Sequence, residues 1–164
     1  GSRGLGDVYK RQGQENNLYY LLGLVQEKLG EAKDAFESLT RACCGESEPA
    51  GMMHYNDQPP EMIYYQGLAY RMLGEEEQAV RRFQKLVDYG REHIRDDVKI
   101  DYFAVSLPDL LIFEENLNER NRKHCLFMMS LGLKGLGRID EAEKCAEELL
   151  AMDNAHQEIR VHDL

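Results

Sequence analysis

The amino-acid sequence of 164 residues has no tryptophan, only four prolines and only four cysteines. The cysteines are Cys43, Cys44, Cys125 and Cys145. Two of them are adjacent and none belongs to a Cys-x-x-Cys pair, so neither a zinc ribbon nor a redox motif is present. This spacing favours four reduced thiols, typical of a cytoplasmic protein, over a disulfide framework. A link between Cys125 and Cys145 is the alternative.

Basic residues and long apolar runs are also scarce. Lys and Arg total 20 against 30 Asp and Glu, which gives a formal net charge of −10. Such a chain repels phosphate backbones and anionic lipid surfaces, so we expect no nucleic-acid partner and no membrane association. No uncharged apolar run approaches the ~18 residues of a membrane span. The apolar fraction of 43% is still enough for a packed core.

Residue pairs that could carry catalysis or bind a metal have simpler explanations. Four such pairs occur: His54 with Asp57, Asp96 with Asp97, Glu114 with Glu115, and His124 with Cys125. The first suits a turn before two prolines, the acidic pairs suit solvated loops, and neighbours on a helix, like the last pair, do not face each other. The sequence also lacks a glycine-rich phosphate loop and a Gly-x-Ser-x-Gly motif. We therefore predict no enzyme activity, catalytic residue, metal or cofactor.

The first twelve residues differ in character from the rest. Gly1-Ser2 resembles the remnant of a cleaved purification tag, and residues 3–12 resemble translated sequencing-adaptor DNA at the edge of a reading frame. This segment has a net charge of +2 (three basic residues, one acidic), against −12 (17 basic, 29 acidic) for the remainder. We therefore assign residues 1–12 to a cloning-derived or adaptor-derived tail and residues 13–164 to a single domain.

One pattern occurs three times at the same internal spacing. Each copy contains a Leu-Gly pair, a small residue seven positions before that glycine and an alanine five positions after it. The three copies are Gly23/Gly30/Ala35, Gly67/Gly74/Ala79 and Ser130/Gly137/Ala142. Agreement at this many offsets indicates an internal repeat.

The spacing predicts an antiparallel pair of helices in each copy. Apolar residues recur at helical intervals before the Leu-Gly pair. Glycine then ends the first helix, because a left-handed backbone costs it little. Glu31 and Glu75 follow, where the positive N-terminal end of a second helix favours acidic residues. The small residue and the alanine allow the two helices to cross closely.

This pattern resembles the tetratricopeptide repeat, whose signature over 34 residues is Trp-x2-Leu-Gly-x2-Tyr…Ala-x3-Phe…Pro. The second copy is nearest, with Gly67, Tyr70, Ala79 and Phe83 at signature positions. Frames of 34 residues cover about 16–49, 60–93 and 123–156. The resemblance implies an all-α, right-handed α-α superhelix of three helix hairpins, with extra residues at about 44–59 and an apolar insert at about 94–122 between the second and third hairpins.

The two inserts differ in composition. The first contains several glycines and prolines, so we predict a loop. The second is apolar and must therefore pack against the rest of the chain; we predict a short helix over 110–113 and a helix N-cap at Asn118. Residues 54–61, 99–113 and 115–124 resemble the C-terminal repeat region of large bacterial proteins that have an uncharacterised, sugar-directed N-terminal domain.

The family resemblance also implies a binding groove along the first helices. The groove residues it implies are Tyr20, Leu24, Tyr64, Leu68, Arg71, Phe127, Leu131 and Lys134. The recurrent aromatic and leucine lie four residues apart and share one helical face. Exposed, they would form an apolar stripe for a helix or an extended peptide. The alternative is that the second insert or a domain of the parent protein buries the stripe.

We expect a non-catalytic helical-repeat module of a bacterial, cytoplasmic protein that mediates protein–protein or domain–domain interaction through the concave face of the first helices. Its partner would be a protein, a peptide or a domain of the parent protein, and the oligomeric state stays open. The alternative function is a C-terminal structural or dimerising domain of a larger carbohydrate-active bacterial enzyme.

Overall fold

A computed structural model of the chain describes residues 15–55, 57–98 and 107–162, without the side chains of 107, 110 and 155–162. All regular secondary structure in these residues is helical. The elements are α1 (Asn16–Lys28), α2 (Ala32–Ala42), a 3₁₀ turn (Met52–His54), α3 (Pro60–Met72), α4 (Glu76–His93), α5 (Leu107–Gly135) and α6 (Ile139–His162). Three hairpins result, because α1 packs on α2, α3 on α4 and α5 on α6. The predicted all-α fold of stacked helix hairpins is confirmed.

The three hairpin turns share one backbone conformation. Gly30, Gly74 and Gly137 have φ angles of 79°, 81° and 80°, in the left-handed region that glycine adopts without strain. In each turn the amide after the glycine donates to the carbonyl five residues earlier, over 2.9 Å. This Schellman arrangement satisfies carbonyls that the end of a helix leaves free. The prediction that these glycines end the first helices is confirmed.

Glycine on the first helix allows close crossings in the first two hairpins. A Cβ added to Gly23 would lie 2.7 Å from Cγ of Leu39 and 3.5 Å from the carbonyl oxygen of Ala35. A Cβ added to Gly67 would collide with the ring of Phe83. Leu39 and Phe83 are both buried, so each fills the space that the opposite glycine leaves.

The hairpins stack because each second helix packs on the first helix of the next unit, α2 on α3 and α4 on α5. Between α4 and α5 the backbones touch. A Cβ added to Gly132 would lie 2.5 Å from the carbonyl oxygen of Phe83 and 2.7 Å from Cγ2 of Val87. The first helices also contact each other, α1 with α3 and α3 with α5. We call the surface that carries the predicted groove residues of these three helices the first-helix face; these residues are Tyr20, Leu24, Tyr64, Leu68, Arg71, Phe127, Leu131 and Lys134.

The C-terminal part of the second insert belongs to the long helix α5. This helix runs unbroken from Leu107 to Gly135, so the predictions of a separate short helix over 110–113 and of an N-cap at Asn118 are wrong. Pro108 does not divide the segment, because it lies in the first turn of α5, where a missing N–H removes no helical hydrogen bond. The acidic pair Glu114-Glu115 therefore lies on a helix and not on a loop.

Asn118 has a different role. Its Oδ1 accepts a hydrogen bond from the amide of Val98 over 2.7 Å, and its Nδ2 donates to Asp97 over 3.0 Å. The side chain thereby ties the segment that follows α4 to α5.

The second insert was predicted to pack against the rest of the chain because it is apolar, and this prediction holds only in part. Leu111, Ile112 and Phe113 are exposed, so the expected packing is wrong for these three residues. The rest of the apolar run, residues 99–106, and the tail, residues 1–12, lie outside the described residues. Among the described residues no helix has both the length and the hydropathy that crossing a membrane requires.

Candidate functional site

The first insert, which we call the 44–59 loop, is held by side chains that are distant in sequence. Asn16 of α1 and Gln66 of α3 both donate to the carbonyl oxygen of Cys44, over 2.7 and 3.3 Å. His124 of α5 donates from Nε2 to the carbonyl oxygen of Ala50 over 2.8 Å. The predicted loop is therefore fixed against three helices, and its middle part lies on the third hairpin.

Together the loop, α5 and α6 enclose a cleft with a volume of about 590 Å³. Its lining combines methionine and aromatic side chains with charged groups: Met52, Met53, Tyr55, Arg120, Lys123, His124, Phe127, Leu149 and Asp153. Met53 is 70% exposed, so an apolar side chain stands in water at the edge of the cleft. Flexible, polarisable methionines at such places suit adaptable binding surfaces.

The side chains that line the cleft include more cations than carboxylates, although the chain is acidic. The cleft contains two cations, Arg120 and Lys123, and one carboxylate, Asp153. Lys123 Nζ lies 2.9 Å from Asp153 and 3.8 Å from Glu119, so its charge is largely compensated. Arg120 is exposed and has no ion-pair partner within the described part of the chain. A partner carboxylate at this edge would meet a local positive charge.

His124 adds a neutral hydrogen-bonding group. Burial lowers the pKa of its imidazole, although the hydrogen bond to Ala50 and the nearby carboxylate of Glu61 act in the opposite direction. Its ring stands edge-on to Tyr55 with 5.8 Å between the ring centroids. The side chain is thus committed to holding the loop.

The eight residues predicted for the groove lie along the first helices. Arg71 and Lys134 are exposed and the other six are half-buried. Aromatic contacts connect α1 with α3, since the ring of Tyr20 lies 5.6 Å from that of Tyr65, which lies 5.7 Å from that of Tyr64. Phe127 lines the cleft and so joins the predicted stripe to it.

Several of the predicted groove residues also serve the fold, among them Tyr64 and Arg71. Tyr64 packs against Phe83, with 5.7 Å between ring centroids. The guanidinium of Arg71 lies 5.0 Å from the centroid of the same ring and 2.9 Å from the carboxylate of Glu76. Cation–π stacking and an ion pair therefore hold Arg71 against its own hairpin. Lys134 is the equivalent residue of the third hairpin and has fewer such contacts among the described residues.

The suspected catalytic pairs have the geometry of structural groups. His54 and Asp57 are exposed and lie 3.3 Å apart in a turn closed by a hydrogen bond from the Asp57 amide to the His54 carbonyl. Burial raises the pKa of the Cys125 thiol to about 11, whereas an activated thiol needs a lowered pKa. Within the described residues no three His, Cys, Asp or Glu side chains converge as a metal site would require.

All four cysteines are free thiols. Cys125 and Cys145 are both buried, Cys43 is half-buried and Cys44 is exposed.

Of the residues that line the cleft, the sequence predicted only Phe127 as a binding residue, and His124 was considered only as half of a catalytic pair. The contact between His124 and Ala50 spans 74 residues, and no periodic pattern reports contacts between a loop and a distant helix. One signal was available: Met52 and Met53 form an apolar pair inside an otherwise polar loop.

Residues 61–89 match the family model of the tetratricopeptide repeat. The match covers α3 almost completely and most of α4, which together are the second hairpin. No solved structure matches the chain. Tetratricopeptide repeats generally bind protein partners and are generally not catalytic. The matched hairpin and the all-helical repeat fold therefore indicate, at a coarse level, a protein-interaction module.

Proposed function

We propose that this chain binds a protein or peptide segment on its first-helix face, with the cleft beside Phe127 as the main pocket. The observation that carries the proposal is the position of the cleft, which lies where the sequence-predicted stripe meets the 44–59 loop. Recognition would require no catalysis by the module itself, and the free thiols favour a reducing, cytoplasmic location.

The lining of the cleft indicates the chemistry of the segment. A bulky apolar side chain would contact Met53 and Phe127, where burial of apolar surface supplies most of the affinity. A neighbouring carboxylate would pair with Arg120, which the described residues leave without an ion-pair partner. We therefore propose a segment with a large apolar residue next to an acidic one.

Selection from a phage-displayed library of random peptides on the full chain tests this proposal. The peptides recovered should share an apolar residue next to Asp or Glu. Their affinity for the Phe127→Ala variant should be at least about tenfold lower, because a few central anchors dominate such interfaces. Isothermal titration calorimetry with one synthetic peptide measures the difference.

Two further variants keep the result interpretable. Met53→Ala changes an exposed side chain and should weaken binding without affecting folding. Phe36→Ala removes an exposed aromatic ring from α2, away from the cleft, and should leave affinity unchanged. Peptides that bind the Phe127→Ala and Met53→Ala variants as tightly as the unchanged chain would refute the proposed pocket.

A second candidate function is a structural or dimerising C-terminal domain of a larger carbohydrate-active bacterial enzyme. One observation favours association through a surface other than the cleft. Helix α1 exposes an apolar side to solvent, with Leu18, Val25 and Leu29 each more than half exposed. An apolar surface of this kind is typical of a contact with another domain or another copy.

A further inference from the structure

Helix α1 carries an exposed apolar stripe. Its members are Leu18, Leu21, Leu22, Val25 and Leu29, which are between 46% and 68% exposed. Their spacing of three and four residues places them on one side of the helix. Contiguous apolar surface of this kind on a folded chain marks an interaction site.

The internal repeat shows what covers the same positions in the other units. Counted from the turn glycines, the stripe corresponds to Met62, Tyr65, Gln66, Ala69 and Leu73 in α3, and to Cys125, Met128, Met129, Gly132 and Leu136 in α5. Every one of these residues is buried or half-buried. Ala69 and Leu73 pack with Leu39 of α2, and Gly132 lies against Val87 of α4. The second helix of the preceding hairpin therefore covers the counterparts of Val25 and Leu29 in α3 and the counterpart of Val25 in α5.

Helix α6 exposes an apolar residue at the place where α4 contacts α5. Counted from the turn glycines, Leu150 of α6 is the counterpart of Val87 of α4. Val87 is fully buried, whereas Leu150 is 60% exposed. Because Gly132 and Val87 touch in the α4–α5 contact, their counterparts Val25 and Leu150 are the residues that would meet if α6 covered α1.

We infer that α6 of one copy binds α1 of a second copy, so that the stack of hairpins continues from chain to chain. Val25 and Leu150 are both larger than Gly132 and Val87, so α6 and α1 would lie further apart than α4 and α5, but at a second contact the side-chain volumes compensate. Where α5 has Gly135 against the ring of Phe83, α1 has the larger Lys28 and α6 has the smaller Ala146. The contact is head-to-tail and forms open chains rather than closed dimers. It uses a surface other than the first-helix face and does not depend on the proposed peptide binding, but it specifies the occupant of the apolar side of α1 on which the second candidate function rests.

Sedimentation velocity of the full chain, from low micromolar to several hundred micromolar, tests the inference. The average mass should rise with concentration above the 18.9 kDa of one chain, without a fixed end point. Added salt should strengthen the association, because each copy has a net charge of −10 and salt screens the repulsion. A chain that keeps the mass of one copy at the highest concentration and salt would overturn the inference.

Two variants that each retain one intact surface distinguish this arrangement from its alternatives. Val25→Glu and Leu150→Glu should each associate at least about tenfold more weakly, because each places a charge in an apolar contact. An equimolar mixture should form a dimer, since α6 of the first variant can bind α1 of the second. The matched control, Val80→Glu, changes an exposed second-helix residue outside the contact and should associate like the unchanged chain.

The mixture also excludes a symmetric contact between two α1 helices. In that case the Leu150→Glu variant alone would associate as strongly as the unchanged chain, and mixing would add nothing. Either result contradicts binding of α6 to α1. Both substituted positions are exposed, so helix content by circular dichroism should equal that of the unchanged chain.

Discussion

His124 is the residue through which the third hairpin holds the 44–59 loop. Its Nε2 donates to Ala50, and its ring faces Tyr55 of the loop and Tyr89 of α4. Burial lowers the pKa of this imidazole, against the opposing effects of the Ala50 hydrogen bond and of Glu61 on α3. The folded chain therefore disfavours the protonated form, which the unfolded chain accepts with an ordinary pKa of about 6.5.

This lowered pKa predicts a loss of stability in mild acid. Above about pH 6.5 His124 is neutral in both states, and its contribution is fully present. As the pH falls below that value the unfolded state binds a proton that the folded state resists, so the free energy of unfolding decreases by at most ~1.4 kcal/mol per pH unit for this one proton. Urea unfolding at several pH values between 5 and 7 measures the slope, and His124→Gln should make it shallower.

His54 supplies the matched control for this slope. It lies on the same loop, but its ring is exposed to water in the folded chain. The His54→Gln variant should therefore retain the pH dependence of the unchanged chain. An equally steep slope in the His124→Gln variant would mean that His124 is not the group responsible.

At the scale of elements, glycine has two distinct roles in this fold. Gly30, Gly74 and Gly137 adopt positive φ angles and form the hairpin turns. Gly90 and Gly132 instead lie within helices, where α4 and α5 bring their backbones into contact. The first role follows from the Leu-Gly repeat in the sequence. The contact of α4 with α5 at Gly90 and Gly132 was not predicted, whereas the close crossings within hairpins at Gly23 and Gly67 were.

Replacement of Gly132 by alanine tests the close approach of α4 and α5. Alanine favours a helix over glycine by about 1 kcal/mol, but its methyl group would lie 2.5 Å from the carbonyl oxygen of Phe83. Since backbone cannot yield as a side chain does, we expect the free energy of unfolding to fall by about 1–3 kcal/mol. Denaturant unfolding followed by circular dichroism gives this value.

Ser130→Ala is the control on the same helix. Ser130 is half-buried and donates only to the carbonyl of Phe127, one turn earlier, so its replacement should change the free energy of unfolding by no more than about 0.5 kcal/mol. A Gly132→Ala variant as stable as the Ser130→Ala variant would contradict the backbone contact.

For the whole molecule, local signals predicted the hairpins and long-range contacts decided the rest. The Leu-Gly repeat located all three turns, because a helix end needs particular residues at particular positions. Pro108 suggested a break, but in the first turn of α5 it costs no hydrogen bond. The cleft depends on the 44–59 loop reaching His124, and of its lining only Phe127 follows from the repeat. The groove of eight residues remains a prediction until binding is measured.

The stack is held together because α2 packs on α3 and α4 packs on α5. Nuclear Overhauser effects in the isotope-labelled chain test this packing most directly. The α protons of Gly132 should give strong cross-peaks to the Cγ2 methyl group of Val87, because a Cβ at Gly132 would lie 2.7 Å from that carbon. Assigned spectra without these cross-peaks, or with cross-peaks from the Gly132 α protons to α6 in their place, would contradict the stack.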